Sequence, residues 1–408
     1  MKDSREPLLF YCQHSLGMGH LVRSLALAAS LAGRFRVVLL NGGKLPRGLG
    51  VPEGVEVVNL PPLGLDPEGR LVSRDGRRTA ERAKGLRRAL IAEAYRRLRP
   101  RVVLVELFPF GRKKFAGELL PLLEEARGEA AARRPLVVCS LRDILVGARA
   151  EQQKHDARAA ETANRYFDAV LVHSDPAFAR LEESLGSYDA LAVPVHHTGF
   201  VLPAQEPAGG GASKGGRQIL VSAGGGLVGE RLFAAAIAAY PLLGGGADVT
   251  MKIVAGPFLP EDAWRRLRES ARRLPGLSVR RFVPDLCAEM RRSAASVSQC
   301  GYNTALDILR AGVPALVVPF ADGAEDEQSK RARRLERMGA LRVLEQHELG
   351  AARFARELRG LPDFTPRRSA LDMRGGENSA RLIESLLGSQ TQRACAPPRR
   401  RAAREARA

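Results

Sequence analysis

The sequence predicts an α/β protein made of two doubly wound parallel-sheet domains that face each other across a cleft. Three observations carry this. Short uninterrupted apolar runs alternate with helix-period segments; one Pro/Gly/Ser-rich stretch breaks the alternation; beyond it the alternation begins again. Apolar runs without polar alternation suit strands buried on both faces, as in a parallel sheet covered by helices. At 408 residues the chain is long enough for two full cores.

In the first half the runs are PLLFYC, FRVVLL, VEVVNL, VVLVEL, PLVVCS and AVLVHS, each ending in a loop such as NGGK, PPLG or FPFG. Ligands of open α/β sheets gather in loops at the carboxyl ends of the strands. The break is PAQEPAGGGASKGGR, residues 203–217. It divides the chain into an N-terminal domain of residues 1–202 and a C-terminal domain of residues 218–388. The second domain carries QILVSAGGG, VTMKIVAG, LSVRRFV, ASVSQCG and PALVVPF. Residues 389–408 are poor in apolar side chains and are expected to be a basic, disordered tail.

Composition narrows the function classes. No apolar run reaches the ~18 residues of a spanning helix, and MKDSREPLLFYC is too charged and too short for a secretory signal. Five dispersed cysteines without a CxxC pair fit a reducing compartment, so a cytoplasmic protein is expected. Of the net charge of +19, six arginines against one glutamate in residues 393–407 contribute +5, leaving +14 on the rest. Aromatics are 5% and do not interleave with the arginines, so no stacking surface for nucleic acid is indicated. Two readings of the surplus fit: solvated basic helix faces, or contact with an anionic membrane surface or phosphate-rich ligand.

Four segments carry chemistry. In HSLGMGHLVRSLALAASLA, Gly17 and Gly19 permit close backbone approach where a helix opens. The positive end of that helix disfavours imidazolium, so His20 is a candidate general base; the other reading is a helix cap. In ILVSAGGGLVGERL a strand ends at Ser222, and Gly224, Gly225 and Gly226 leave room for backbone N–H groups to turn toward a diphosphate. No GK[ST] follows, so this is not a nucleoside-triphosphate loop. In QCGYNTALDILRAG, Gly301, Asn303 and Thr304 precede Asp307, whose carboxylate suits a ribose diol or complements the helix dipole. In PFADGAEDEQSKRARRLERMGA, Glu327 and Gln328 offer donors and acceptors for sugar hydroxyls, or simply open a well-charged helix. No His/Cys cluster has metal-ligand spacing, and no DxD follows a strand, so no metal is implied. Glu106, at the end of VVLVEL, is a secondary candidate for acceptor contact or base, or an ordinary exposed loop acid.

Together these segments resemble the family-28 glycosyltransferases of GT-B type, whose two Rossmann-like domains face across a cleft. The resemblance covers nearly the whole chain and is strongest from about residue 278 to 340, through RRFVPDL, ASVSQCGYNTALDILRAGVPALVVPF and EQSKRARRLERMGA. It implies that Ser222 to Gly226 hold a donor diphosphate and that backbone near Val283 reads the base. It further implies that Gly301 to Asp307 hold phosphate and ribose, and that Glu327 and Gln328 contact the donor sugar. Asp307 is one methylene shorter than the glutamate usual there. GMGHLVR is also similar to the GxGHxxR of nucleotide-sugar hydrolases in pseudaminic acid synthesis.

The expected activity is inverting, metal-independent transfer from a UDP-sugar to an unidentified, lipid- or glycan-linked acceptor in envelope or polysaccharide synthesis. No cofactor is expected, and the site of work is the cytoplasm or the inner face of a membrane. The alternatives are a hydrolase that uses water as acceptor, and a non-catalytic nucleotide-sugar-binding subunit.

Overall fold

The computed structural model describes residues 4–14, 18–43, 45–46, 49–66, 68–203, 217–246, 249–321 and 326–395. Gly17, most of the expected linker (204–216) and the end of the expected tail (396–408) therefore lie outside the described residues.

The first domain runs β1 (Glu6–Cys12), α1 (Gly19–Ala32), β2 (Phe35–Asn41), β3 (Val55–Asn59), β4 (Leu63–Leu65), β5 (Leu71–Ser73), α2 (Ala80–Leu98), β6 (Val102–Glu106), α3 (Ala116–Gly128), β7 (Leu136–Arg142), α4 (Gln152–Tyr166), β8 (Ala169–His173) and β9 (Val195–His197). Seven strands form one sheet in the order β3-β2-β1-β6-β7-β8-β9, parallel throughout. β4 and β5 pair as a separate antiparallel hairpin. Every residue of β6 and β8 is buried, as strands covered on both faces require.

The second domain runs β10 (Gln218–Ser222), α5 (Glu230–Ala239), β11 (Thr250–Val254), α6 (Glu261–Arg272), β12 (Leu277–Arg280), α7 (Leu286–Arg291), β13 (Ala295–Ser298), α8 (Tyr302–Ala311), β14 (Ala315–Val317), α9 (Glu327–Arg337), β15 (Arg342–Val343), α10 (Ala351–Arg359) and α11 (Gly375–Cys395). Its six strands order as β12-β11-β10-β13-β14-β15, again all parallel. In both sheets the strand order reverses beside the first strand, at β1/β6 and at β10/β13. The crevice at such a reversal is where open α/β sheets take their ligands.

α11 departs from the expected boundaries. Ala380, Ile383 and Leu387 recur on one helix face and are buried in a cluster with Leu21, Leu25 and Leu31 of α1. Arg34 pairs with Glu384, and the Gln390 amide donates to the Arg134 carbonyl at 3.1 Å. Residues 375–388, expected in the C-terminal domain, thus pack on the first. Residues 389–395, expected in a disordered tail, continue the helix. The apolar stripe of α11 finds its cover on α1, which decides both differences.

Candidate functional site

The strand ends of the two sheets face one another and are joined by polar contacts. Asn303 at the start of α8 donates to the Gly19 carbonyl at 3.1 Å. The Tyr302 hydroxyl donates to the His173 carbonyl and accepts from the Val201 N–H, both at 3.0 Å. Arg331 of α9 grips Asp143, just after β7, with two bonds of 2.7 Å, and both side chains are almost wholly buried. Beside that pair, Arg142 meets Glu327. The Gly147 N–H donates to Asp326 at 3.1 Å.

At the reversal of the first sheet, α1 opens with no side-chain cap and no acid in its first turn. His20 does not cap it. Its Nδ1 lies 2.6 Å from Glu106 Oε1, and Glu106, at the last position of β6, is wholly buried. Glu106 is therefore neither an exposed loop acid nor open to an acceptor; it stands behind the imidazole. Arg23, one turn after His20, donates to the same carboxylate at 2.5 Å and stacks over Tyr302 at 5.7 Å. Arg112 lies 3.9 Å from the other carboxylate oxygen.

These charges set the protonation states. Burial holds His20 well below the usual histidine range, and Arg112 and Arg142 add to this against the opposing pull of Glu106. Burial alone would raise Glu106, but His20, Arg23 and Arg112 hold it below the usual carboxylate range. The result is a neutral imidazole that donates from Nδ1 to an ionised carboxylate, leaving Nε2 as its basic atom. Cys12 below the turn stays a thiol, since burial pushes it up to about 12.

At the reversal of the second sheet, the turn after β10 carries no ion pair among the described residues. Gly224 (φ +54°) and Gly226 (φ +90°) are left-handed. A Cβ on Gly226 would lie 2.2 Å from the Ala255 carbonyl oxygen, so this glycine has a packing reason of its own. At Gly224 the nearest atom to such a Cβ is Thr304 Oγ1, at 3.8 Å. Nor do the glycines themselves open the helix: Leu227, Val228 and Gly229 intervene before α5. Gly301 is the N-cap of α8, which has no side-chain cap and no acid in its first turn. Ser222 is buried with its hydroxyl unpartnered among the described residues, as is Ser298 at the end of β13.

The remaining expected residues are placed as follows. Thr304 is buried beside the glycine turn. Asp307 is half-buried on α8 with no hydrogen bond or ion pair among the described residues, and burial pushes its carboxyl up to about 7. Val283 is half-buried in the segment between β12 and α7. Gln328 uses its amide oxygen internally, accepting from the Cys300 and Phe320 N–H groups at 3.0 and 3.2 Å. Among the described residues no group of three or more His, Cys, Asp or Glu side chains is disposed to hold a metal ion.

Arg23, Arg112, Arg142 and the Asp143–Arg331 pair were not among the residues expected at the site. Arg23 alone carried a signal, three residues after His20 and so on the same helix face. The others reach the site from separate elements: the loop after β6, the end of β7 with the residue that follows it, and α9. Arg112 also lines a cavity of about 370 Å³ beside the buried dyad. Lys113, Lys114, Arg149, Lys154 and Arg158 line it too, against one acid, Glu151.

Residues 225–384 match the glycosyltransferase family 28 C-terminal domain. A UDP-N-acetylglucosamine–N-acetylmuramyl-(pentapeptide) pyrophosphoryl-undecaprenol N-acetylglucosamine transferase of Methylorubrum extorquens is 25% identical over 389 residues, 93% of this chain and 95% of the relative. A transferase of the same name from Alkalilimnicola ehrlichii is 31% identical over 119 residues, 28% of this chain. That stretch spans only 33% of the relative's own length, and shorter alignments with further relatives span less. Among solved structures, MurG of Acinetobacter baumannii superposes with a TM-score of 0.53 at 15% identity, covering 93% of this chain and 99% of the other, which shows the fold. The second domain is thus a glycosyltransferase family 28 C-terminal domain, carried on a chain of GT-B fold.

Proposed function

We propose that this protein transfers a sugar from a UDP-sugar to an acceptor hydroxyl with inversion at the anomeric carbon and without a metal. The observation that carries the reading is the His20–Glu106 pair, a neutral imidazole at the mouth of an uncapped helix that touches the start of α8. His20 Nε2 takes the proton of the acceptor hydroxyl as its oxygen attacks the anomeric carbon. Glu106 accepts the Nδ1–H bond and stabilises the imidazolium as it forms. The bond from the anomeric carbon to the diphosphate oxygen breaks, and UDP departs with the electron pair. Backbone N–H groups at Gly224 and Gly225 and at the start of α8 meet the charge that develops on the diphosphate, the Gly226 N–H being taken by the Ala223 carbonyl at 2.9 Å. Asp307 serves the ribose, and Glu327 serves the sugar hydroxyls.

The cationic cavity beside Arg112 supports an acceptor that carries negative charge, such as a phosphate-linked lipid or glycan. The Methylorubrum relative's name gives it a pyrophosphoryl-undecaprenol acceptor. No helix among the described residues is long and apolar enough to cross a membrane, so work on a lipid-linked acceptor would be done from the surface, at the cytoplasmic face in this reading.

The test is a screen of UDP-, GDP- and TDP-sugars for binding and consumption, with and without candidate acceptors and with EDTA, in wild type and His20→Ala. A UDP-sugar bound by both proteins and consumed only by wild type, with acceptor and in EDTA, is expected. Product anomers read by NMR report inversion. Equal consumption by His20→Ala overturns the base assignment, and full turnover with water alone makes the protein a hydrolase.

A further inference from the structure

The Arg142–Glu327 pair lies beside contacts that already join the two domains. The Asp143–Arg331 pair beside it already fixes the end of β7 on α9 with two 2.7 Å bonds, and Arg331 also donates to the Cys300 carbonyl at 2.8 Å. The Gly147–Asp326 bond secures the same junction. Yet a second arginine and carboxylate are buried next to these, with side chains 16% and 8% exposed. Removing two charges from water is costly unless they serve a purpose that a packed apolar pair could not.

We infer that Arg142 is a positioning residue through which the first domain governs recognition of the donor sugar: it holds the Glu327 carboxylate in place and adds positive charge beside His20. This rests on the UDP-sugar reading above. Arg142 pairs with the Glu327 carboxylate and fixes its direction, so Glu327 is held as an acceptor for hydroxyl donors. Arg142 Nε is buried and has no hydrogen-bond partner among the described residues. The pair thus presents a donor and an acceptor together, which suits a sugar hydroxyl, a group that is both. Bare UDP lacks the transferred sugar's hydroxyls that this pair would meet.

The charge of the same guanidinium also acts on the base. The charged groups that act on His20 are Glu106 from β6, Arg112 from the loop after it and Arg142 from the end of β7. Arg23 lies on its own helix, bonded to Glu106. The Cys12 thiol on β1 is neutral, and α8 contributes only the uncharged Asn303 amide. Arg142 is the one member of this set that also touches a residue assigned to the donor sugar. Loss of its charge makes His20 easier to protonate, whereas loss of the Glu327 charge leaves Arg142 uncompensated and does the opposite.

The experiment uses the full chain as wild type, Arg142→Met, Arg142→Lys and Glu327→Gln, with UDP and UDP-N-acetylglucosamine as probes. Calorimetry is expected to show UDP affinity within about twofold of wild type in all variants. The preference for UDP-N-acetylglucosamine over UDP should fall about tenfold in Arg142→Met and Glu327→Gln. The acidic limb of kcat/KM should move to higher pH in Arg142→Met, to lower pH in Glu327→Gln, and back toward wild type in Arg142→Lys. Glu327→Gln removes no packing, so it keeps the test open if Arg142→Met folds poorly. Equal losses for both probes, or limbs that stay put or move in the same direction, overturn the inference while UDP-sugar turnover by wild type stands. Wild type that binds neither probe overturns the UDP-sugar reading and this inference with it.

Discussion

The turn after β1 and the turn after β10 stand at the same place in their sheets, each beside the reversal of strand order. The first is built on charge: His20, Glu106, Arg23 and Arg112 lie within one buried cluster. Among the described residues the second shows no such cluster at its turn, but left-handed glycines, serine hydroxyls without a hydrogen-bond partner and a helix without a side-chain cap. A buried charged cluster can hold a proton-accepting atom at a chosen basicity. A glycine turn lets backbone N–H groups approach an anion with no side chain in between. One topological position thus supplies two kinds of chemistry, and the cleft sets them against each other.

If that division of labour holds, damage on the first side should spoil chemistry and spare donor binding. His20→Ala is expected to lower kcat by about 10²–10⁴-fold, with UDP affinity within about twofold of wild type by calorimetry. Glu106→Gln should follow at about 10²–10³-fold, because an amide there neither enforces the Nδ1–H tautomer nor stabilises imidazolium. A large loss of UDP affinity in either variant would break the comparison at once.

Damage on the second side should do the reverse and should depend on which glycine is changed. Gly226→Ala sets a methyl into the Ala255 carbonyl at a left-handed φ, and is expected to cost roughly 2–4 kcal/mol of stability. Gly224→Ala meets only Thr304 Oγ1, at an ordinary contact distance of 3.8 Å, and should cost only about 1 kcal/mol, the left-handed penalty alone. Thermal unfolding of the two variants checks the difference. Equal destabilisation would mean that packing against Ala255 does not set the turn.

The two domains should also answer acid differently. His20, His155, His173, His196 and His197 all belong to the first domain, and burial lowers the proton affinity of each. Each is neutral in the fold and takes a proton in the unfolded chain once pH drops below its ordinary value of about 6.5. The unfolded state then binds more protons, so stability falls as pH falls below that value. Hydrogen exchange at pH 7 and pH 5 should show protection lost first in β1, β6 and β8. Earlier loss in β10 and β13 would contradict the assignment.

Much of this organisation was legible in the sequence. Each apolar run without polar alternation became a strand, and the reading of two parallel sheets rested on that single property. What stayed hidden had weak local signals. β9 and β15 span three residues and two, and β4–β5 is a satellite hairpin off the main sheet. The stripe on α11 was readable, but not the fact that α1 would cover it. At the site, His20 and Glu106 stood out by position at a helix mouth and a strand end. Arg112 and Arg142 did not, because only the strand order 1-6-7 brings the ends of β6 and β7 to the mouth of α1.

Asp307 offers the finest discrimination between the two sides. Burial raises its carboxyl to about 7, against Arg310, which lowers it, and with Asp285, which adds to the rise. A ribose diol would donate to the carboxylate, so binding would favour the ionised form and release the proton. UDP affinity should therefore climb as pH rises from about 6 toward 8 and level off once the carboxylate forms unaided. UDP phosphates titrate nearby, so the informative quantity is the ratio of wild-type to Asp307→Asn affinity at each pH. That ratio should rise by up to about tenfold over the interval, since the amide has no proton to release. A flat ratio would remove Asp307 from the ribose and leave it as a dipole-compensating acid on α8. The site's pH dependence would then lie wholly with the charged cluster around His20.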